Sequence, residues 1–576
     1  MSTRPATSSS QPPPRPLHRA GPKKTSSSSD PRAVSNLFQK GQMTMSAAVQ
    51  TLDISPVGRV EGDLDVRVEI QNGVVVNAWT QAELFRGFEV ILRDKDPQAG
   101  LVVTPRACGI CGASHLTCAA WALDTAWKTE VPRNAILARN LGQIVESLQS
   151  LARHHYGLFM IDYTHKNYSH SKYYEEAVKR WSPFTGTNYE LGVTISGRPV
   201  EIYALLGGQW PHSSYMVPGG VMCAPTLTDV TRAWSILEHF RRNWMESMWL
   251  GCSFERYEEI KSYDDFLAWL DERPEHANSD LGMFWRMSLD IGIDKYGKGH
   301  GKYVSWGYLP HEDKYNRPTI ESRNASVIMK SGVYDGAADT HKLMDQVHTR
   351  EDMMHAWYDE PGELHPFDRT TNPVGKNPVD YDKQYSWATA VRHDDNGRLE
   401  AGPLARQLIA GGNHGESWQH HDPLVLDMYK KLGGASVALR HFARMHEGVK
   451  LYREAERILR EFRLNDPWYV KPTEKDGRGW GATEAIRGAL CHWIEVQGGK
   501  IKNYQIIAPT TWNVGPRSDS GELGPIEQAL IGTPIADPND PVEVGHVCRS
   551  YDSCLVCTVH AHDASTGEEL ARFRTA

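Results

Sequence analysis

Two short cysteine motifs carry the clearest chemistry in this sequence. The first reads Arg106-Ala107-Cys108-Gly109-Ile110-Cys111-Gly112-Ala113-Ser114-His115, and the second reads Asp552-Ser553-Cys554-Leu555-Val556-Cys557-Thr558-Val559-His560. In each, two residues separate the cysteines, which lets both sulfurs turn toward one ion, and a histidine follows three or four residues on. Four thiolates suit zinc, an iron–sulfur cluster, or a soft transition metal such as nickel. Zinc ribbons bring their pairs from within ~20 residues of each other. Here more than 400 residues intervene, so a shared site would staple the two ends of a domain. Independent redox pairs would need a thioredoxin-like βαβ context, which surrounds neither motif. Spacing alone leaves zinc narrowly ahead of iron–sulfur or redox use and of another catalytic metal. The other five cysteines, Cys118, Cys223, Cys252, Cys491 and Cys548, stand singly and read as core residues. An odd total of nine argues for thiol or metal chemistry in a reducing compartment, not a disulfide framework.

The elements that must position these motifs are mostly helical. Apolar residues from Ile136 to Leu151 fall at helical spacing after Pro132, and similar patterns occupy about 225–247 and 424–464. The alternating run Leu64–Ile70, then Asn72-Gly73, then Val74–Val76 predicts a hairpin with a tight primed turn. Residues 280–400 have weak periodicity and read as loops and short strands. No internal repeat is visible. The expected fold is α+β and predominantly α, a large helical body with small peripheral β-sheets around a single core. Residues 1–46 are rich in Ser, Pro, Lys and Arg with few large apolar residues, a composition that stays disordered. With 576 residues, 40% hydrophobic and 23% charged, and a net charge of -8, the chain is that of a globular protein. It has no clustered Lys and Arg for nucleic acid, and no run of ~20 apolar residues for a membrane helix. The N-terminus lacks the apolar core of a secretory signal. The cytoplasm is expected, or export on a partner's signal, with any membrane association made through partners.

The cysteine motifs and the segments between them resemble the large subunits of nickel–iron hydrogenases. Besides RACGICGASH and DSCLVCTVH, the matching segments are RVEGD around Glu61, LFRGFE ending at Glu89, GGQWPH ending at His212, GPLAR ending at Arg406, TEAIRG around Arg487, and APTTWN at 508–513. They run in register over about residues 50–576. Ser553 before Cys554, followed by LVCTVH, is most similar to the actinobacterial-type, high-affinity uptake group.

That resemblance implies a catalytic domain over residues 47–560 and a site with named parts. Cys108 and Cys554 would be terminal ligands of nickel. Cys111 and Cys557 would bridge nickel to iron, which also carries carbon monoxide and cyanide. Glu89, His560 and the backbone carbonyl near Ile506 would hold a magnesium ion or another divalent cation; a hard cation suits the carboxylate and carbonyl. Cys554 would pass a proton to Glu61, Arg487 would stand over the open metal position, Thr510 would bond a cyanide, and His115 would bond a cysteine sulfur. Taken singly, these residues have ordinary readings. Glu61 would be a surface carboxylate, Arg487 a salt-bridged helix residue, Thr510 a turn residue after Pro509, and His115 a satisfied core histidine.

The implied activity is reversible oxidation of H2 to protons and electrons. No spare cysteine cluster exists here for electron relay, so an iron–sulfur small subunit is the implied partner, in a heterodimer that assembles further into a higher oligomer. Nickel-insertion factors and a maturation endoprotease would act on the precursor, the latter removing residues 561–576. Three departures stand out: Ser553 and Ile486 replace common prolines, and Ser150 replaces an aspartate. Two readings compete: a hydrogen sensor on the same scaffold, and a structural four-cysteine zinc protein. Quinone-binding relatives lack the cysteines, so these four argue against that role.

Overall fold

Alternation along Leu64–Ile70 becomes alternation of burial in the folded chain. A computed structural model describes residues 48–317, 319–360, 362–375, 378–412 and 421–555; the N-terminal extension 1–46, Cys557, His560 and the tail 561–576 lie outside them. Strands β1 (Gln50–Ile54), β2 (Leu64–Gln71) and β3 (Val74–Ala82) form an antiparallel sheet in that order. Every second residue of β2 is buried. Asn72 and Gly73 both have positive φ, 54° and 75°, as the primed hairpin turn requires.

The helical body follows. Helix α1 (Gly112–Ala126) starts directly after Cys111. Helix α2 (Arg133–Arg153), capped by Pro132, is buried along nearly all its length and runs on into a wider turn over His154–Phe159. A fully buried Arg139–Asp124 ion pair at 2.7 Å ties α2 to α1. The pattern over 225–247 forms α3 (Leu227–Phe240), which continues as a wide turn to Leu250.

Two expectations need correction here. The middle segment does hold short strands, but it opens with a full helix, α4 (Asp280–Ile291), whose Ser279 cap the periodicity reading passed over. The pattern over 424–464 is two helices, α5 (Pro423–Lys431) and α6 (Val437–Glu461). Gly433 and Gly434, at φ 69° and 108°, break it, because an α-helix cannot pass through left-handed backbone. Helix α6 crosses α2 closely: a Cβ at Gly448 would lie 2.8 Å from Leu151 Cδ1.

The C-terminal third supplies a second sheet, β4 (Gly477–Ala485), β5 (Gly488–Gln497) and β6 (Lys500–Ile507), antiparallel in sequence order. Helix α1 lies directly on β4. A Cβ at Gly479 would meet Ala122 O at 2.4 Å, and one at Gly481 would meet Ala122 N and Cys118 O at 2.4 Å. Helices α7 (Pro509–Val514) and α8 (Val542–Ser550) bring the chain back to the centre. The single core expected from sequence is one large core with two satellites, one under β4–β6 and one around Cys108, Cys111, Cys118 and Cys554. The fold is α+β, and no helix among the described residues is long and apolar enough to cross a membrane.

Candidate metal centre

Three of the four motif cysteines meet at one buried point. Cys108 is extended after a short turn, Thr104–Ala107, and Cys111 caps α1. Arg86 holds this loop by donating to the carbonyls of Ala107 at 2.8 Å and Arg106 at 2.6 Å. Cys554 arrives from the other end of the chain, laid beside Glu61 as a parallel bridge; Glu61 N donates to Ser553 O at 3.2 Å and Leu555 N to Glu61 O. The sulfurs of Cys108, Cys111 and Cys554 lie within 4.8 Å of one another, and all three residues are at most 3% exposed. Cys108 Sγ and Cys554 Sγ are 3.3 Å apart. That is far beyond the ~2.05 Å of a disulfide. It suits thiolates sharing an ion at ~2.3 Å, so this donor set fits a soft transition metal. Cys557, three residues beyond Cys554, lies outside the described residues.

Arg487 reaches the cysteines from the tight turn between β4 and β5, not from a helix. Gly488 after it has φ 128°, and a Cβ there would lie 2.6 Å from Gly402 N. The guanidinium is buried and donates through Nε to Asp552 O at 2.9 Å and pairs through Nη2 with Asp552 Oδ1 at 3.0 Å. Its Nη1 has no partner among the described residues. Burial alone would lower its pKa, but Asp552 and the cysteine sulfurs outweigh this and raise it well above the ordinary value. Glu61 is half-buried beside it, so its carboxylate is not a free surface group. Burial raises the Glu61 pKa; Arg487 opposes that, while Cys108 and Asp552 add to it.

The remaining candidates fall into two places. Thr510, at the start of α7, accepts from Cys554 N at 2.9 Å. His115 stands on α1 one turn after Cys111, fully buried, with Nδ1 3.0 Å from His492 Nε2; burial pulls its pKa down to about 4. Glu89 and Ile506 form a separate corner. Ile506 N donates to Glu89 Oε1 at 2.9 Å, and Thr371 donates to Oε2. They line a cavity of about 60 Å³ shared with Glu351 and Arg369. Burial raises the Glu89 pKa against the pull of Arg369. The observed Ile506 contact is thus its amide, and His560 lies outside the described residues.

Three functional residues were not singled out from sequence. Asp552 adopts left-handed backbone, φ 55°, which folds its carboxylate under Arg487. Arg406 donates to Ala485 O at 2.9 Å and Ile486 O at 3.0 Å, fixing the turn that carries Arg487, and is itself held by Glu447 and Glu484. Glu146 accepts from Ala113 N at 2.8 Å and Ser114 N at 3.2 Å, capping α1 behind Cys111; burial pushes its pKa up to about 8. Arg406 ends a matching segment, GPLAR, and Asp552 opens the second cysteine motif, which were usable signals; Glu146 had none. Ser150 is buried on α2.

Comparison with known proteins agrees with this geometry. The family model described as nickel-dependent hydrogenase matches residues 86–182 and 255–560. The periplasmic [NiFeSe] hydrogenase large subunit of Desulfomicrobium baculatum is 31% identical over 90% of this chain and 96% of that one. The hydrogenase-2 large chain of Escherichia coli K12 is 28% identical over 91% and 99%, and the uptake hydrogenase large subunit of Rhizobium leguminosarum 27% over 92% and 98%. The solved structure of H2-activated D. baculatum [NiFeSe]-hydrogenase superposes with a TM-score of 0.73 at 30% identity, covering 89% of this chain and all of that one. With Cys108 and Cys111 meeting Cys554 from more than 400 residues along the chain and these matches across most of its length, the chain belongs to the nickel-dependent hydrogenase family.

Proposed function

We propose that this chain is the catalytic subunit of a nickel–iron hydrogenase that oxidises H2 and passes the electrons to an iron–sulfur small subunit. The observation that carries the reading is the convergence of Cys108, Cys111 and Cys554 within 4.8 Å in a buried pocket roofed by Arg487. Cys108 and Cys554 would hold nickel, with Cys111 and Cys557 shared between nickel and an iron carrying carbon monoxide and cyanide. When bound, the metal pair supplies the Lewis acidity that acidifies H2 and accepts its electrons.

The protein's own part is to place charge and move a proton. Cys554 Sγ is the first proton acceptor, and the carboxylate of Glu61, whose backbone lies beside Cys554 through the Ser553 and Leu555 contacts, takes the proton onward. Its raised pKa makes it a better acceptor than a solvated carboxylate. Arg487 stays protonated and sets one positive charge against the thiolates, and Asp552 fixes its orientation. Thr510 holds the Cys554 backbone, and its hydroxyl would donate to a cyanide ligand of the iron. Glu89 and the Ile506 backbone, with His560, would hold magnesium or another divalent ion, locking the C-terminus once 561–576 is removed.

Single cysteines scattered through the chain give electrons no route out, which supports the small-subunit partner. The uptake relative supports the oxidising direction. The test is anaerobic purification with the co-purifying small subunit, followed by H2 uptake and H/D exchange assays. The expected result is turnover by a complex containing nickel and iron; zinc with no exchange would overturn the reading.

A further inference from the structure

His115, His492 and Tyr504 form a hydrogen-bonded line that begins beside the cysteines. His115 Nδ1 is 3.0 Å from His492 Nε2 on β5, and His492 Nδ1 is 2.8 Å from the Tyr504 hydroxyl on β6. All three side chains are buried, and His115 Nε2 has no partner among the described residues. The Cys108 sulfur is the anionic group acting on this ring. Two ring nitrogens 3.0 Å apart share one hydrogen, so one of these imidazoles must accept from the other. A neutral imidazole has one N–H donor and one bare acceptor, so the line can run in only two directions. In one, Tyr504 O–H donates to His492, His492 Nε2–H donates to His115 Nδ1, and His115 Nε2 carries a hydrogen. In the other, His115 Nε2 is a bare lone pair in the thiolate pocket, which repels.

We propose that His492 and Tyr504 are positioning residues that lock the tautomer of His115, so that its Nε2–H is offered as a donor to a thiolate of the metal centre. This rests on the hydrogenase reading above. A donor to a thiolate of the metal pair withdraws electron density from it, and iron-bound carbon monoxide and cyanide would report that density through their stretching frequencies. In the purified complex, His492→Leu removes the donor to His115 Nδ1 and is expected to move those infrared bands to lower wavenumber, with nickel and iron content unchanged. His492→Gln keeps an N–H donor at that place and is expected to restore the wild-type bands. Tyr504→Phe, the milder second variant, is expected to shift the bands in the same direction, and to shift nothing further in a His115→Ala background. Identical spectra for His492→Leu and His492→Gln, or an undiminished Tyr504→Phe shift without His115, would overturn the proposal. Absence of these bands from the wild-type complex would instead overturn the hydrogenase reading, and this proposal with it.

Discussion

Arg487 and Glu61 come from separate elements, and each depends on a backbone contact made by the segment 552–555. Glu61→Gln keeps those backbone hydrogen bonds and the size of the side chain but cannot take a proton. It is expected to retain nickel and iron and to lose about 10²–10⁴-fold in H/D exchange with solvent. Wild-type exchange in that variant would remove Glu61 from the proton path. The cysteine pairs were legible in the sequence because their motifs are local, whereas Glu61 and Arg487 were singled out only through the family resemblance. The role of Asp552 was not legible, although it opens the second cysteine motif, because nothing in that motif announces φ 55° or a pairing with an arginine 65 positions away. The helical reading of Arg487 alone failed for the reverse reason: TEAIRG has good helix formers, and cross-strand pairing overrides that preference.

At the scale of elements, the site depends on how closely α1 lies on β4. The run Gly477-Arg-Gly-Trp-Gly481 looks poor for a strand, since glycine weakens strand interiors. Its role appears only once α1 is seen pressed against it, with Gly479 and Gly481 leaving no room for a Cβ. Gly481→Val should therefore lift α1 and displace Cys111. We expect a loss of stability of at least about 1–3 kcal/mol, the usual cost of overpacking, with reduced metal content. Gly157→Ala, where nothing lies within 4 Å of an added Cβ, is the control and should leave both unchanged. Equal melting temperatures and metal content for the two variants would refute this view of the contact. The hairpin at Asn72-Gly73 and the buried helix α2 were readable from periodicity alone, because their patterns are long and their caps ordinary. The break between α5 and α6 was missed because the apolar spacing resumes in phase, and only the glycine pair marks it.

Across the whole molecule, burial keeps a cluster of histidines behind the site uncharged. Burial lowers His155 to about 3, and His154 nearby adds to that; His155 Nδ1 is 2.9 Å from His441 Nε2. In the unfolded chain the same imidazole takes a proton at about 6.5. The unfolded state then binds more protons below that pH, so this contribution to stability is present above about pH 6.5 and lost as the pH falls toward 3. His155→Phe removes the dependence. The stability difference between wild type and variant should change by about 1.4 kcal/mol per pH unit between pH 6.5 and 5, in the variant's favour as acid is added. A constant gap over that range would show that His155 is protonated in the folded chain.

The whole-molecule claim is that one chain closes its two ends on a nickel–iron pair. Infrared spectroscopy of the anaerobically purified complex with its small subunit, with elemental analysis of the same sample, tests it most directly. The expected result is carbon monoxide and cyanide stretching bands together with nickel, and with iron in excess of nickel because the small subunit's clusters add to the one iron of the pair. Zinc in place of both metals, with no such bands, would contradict it.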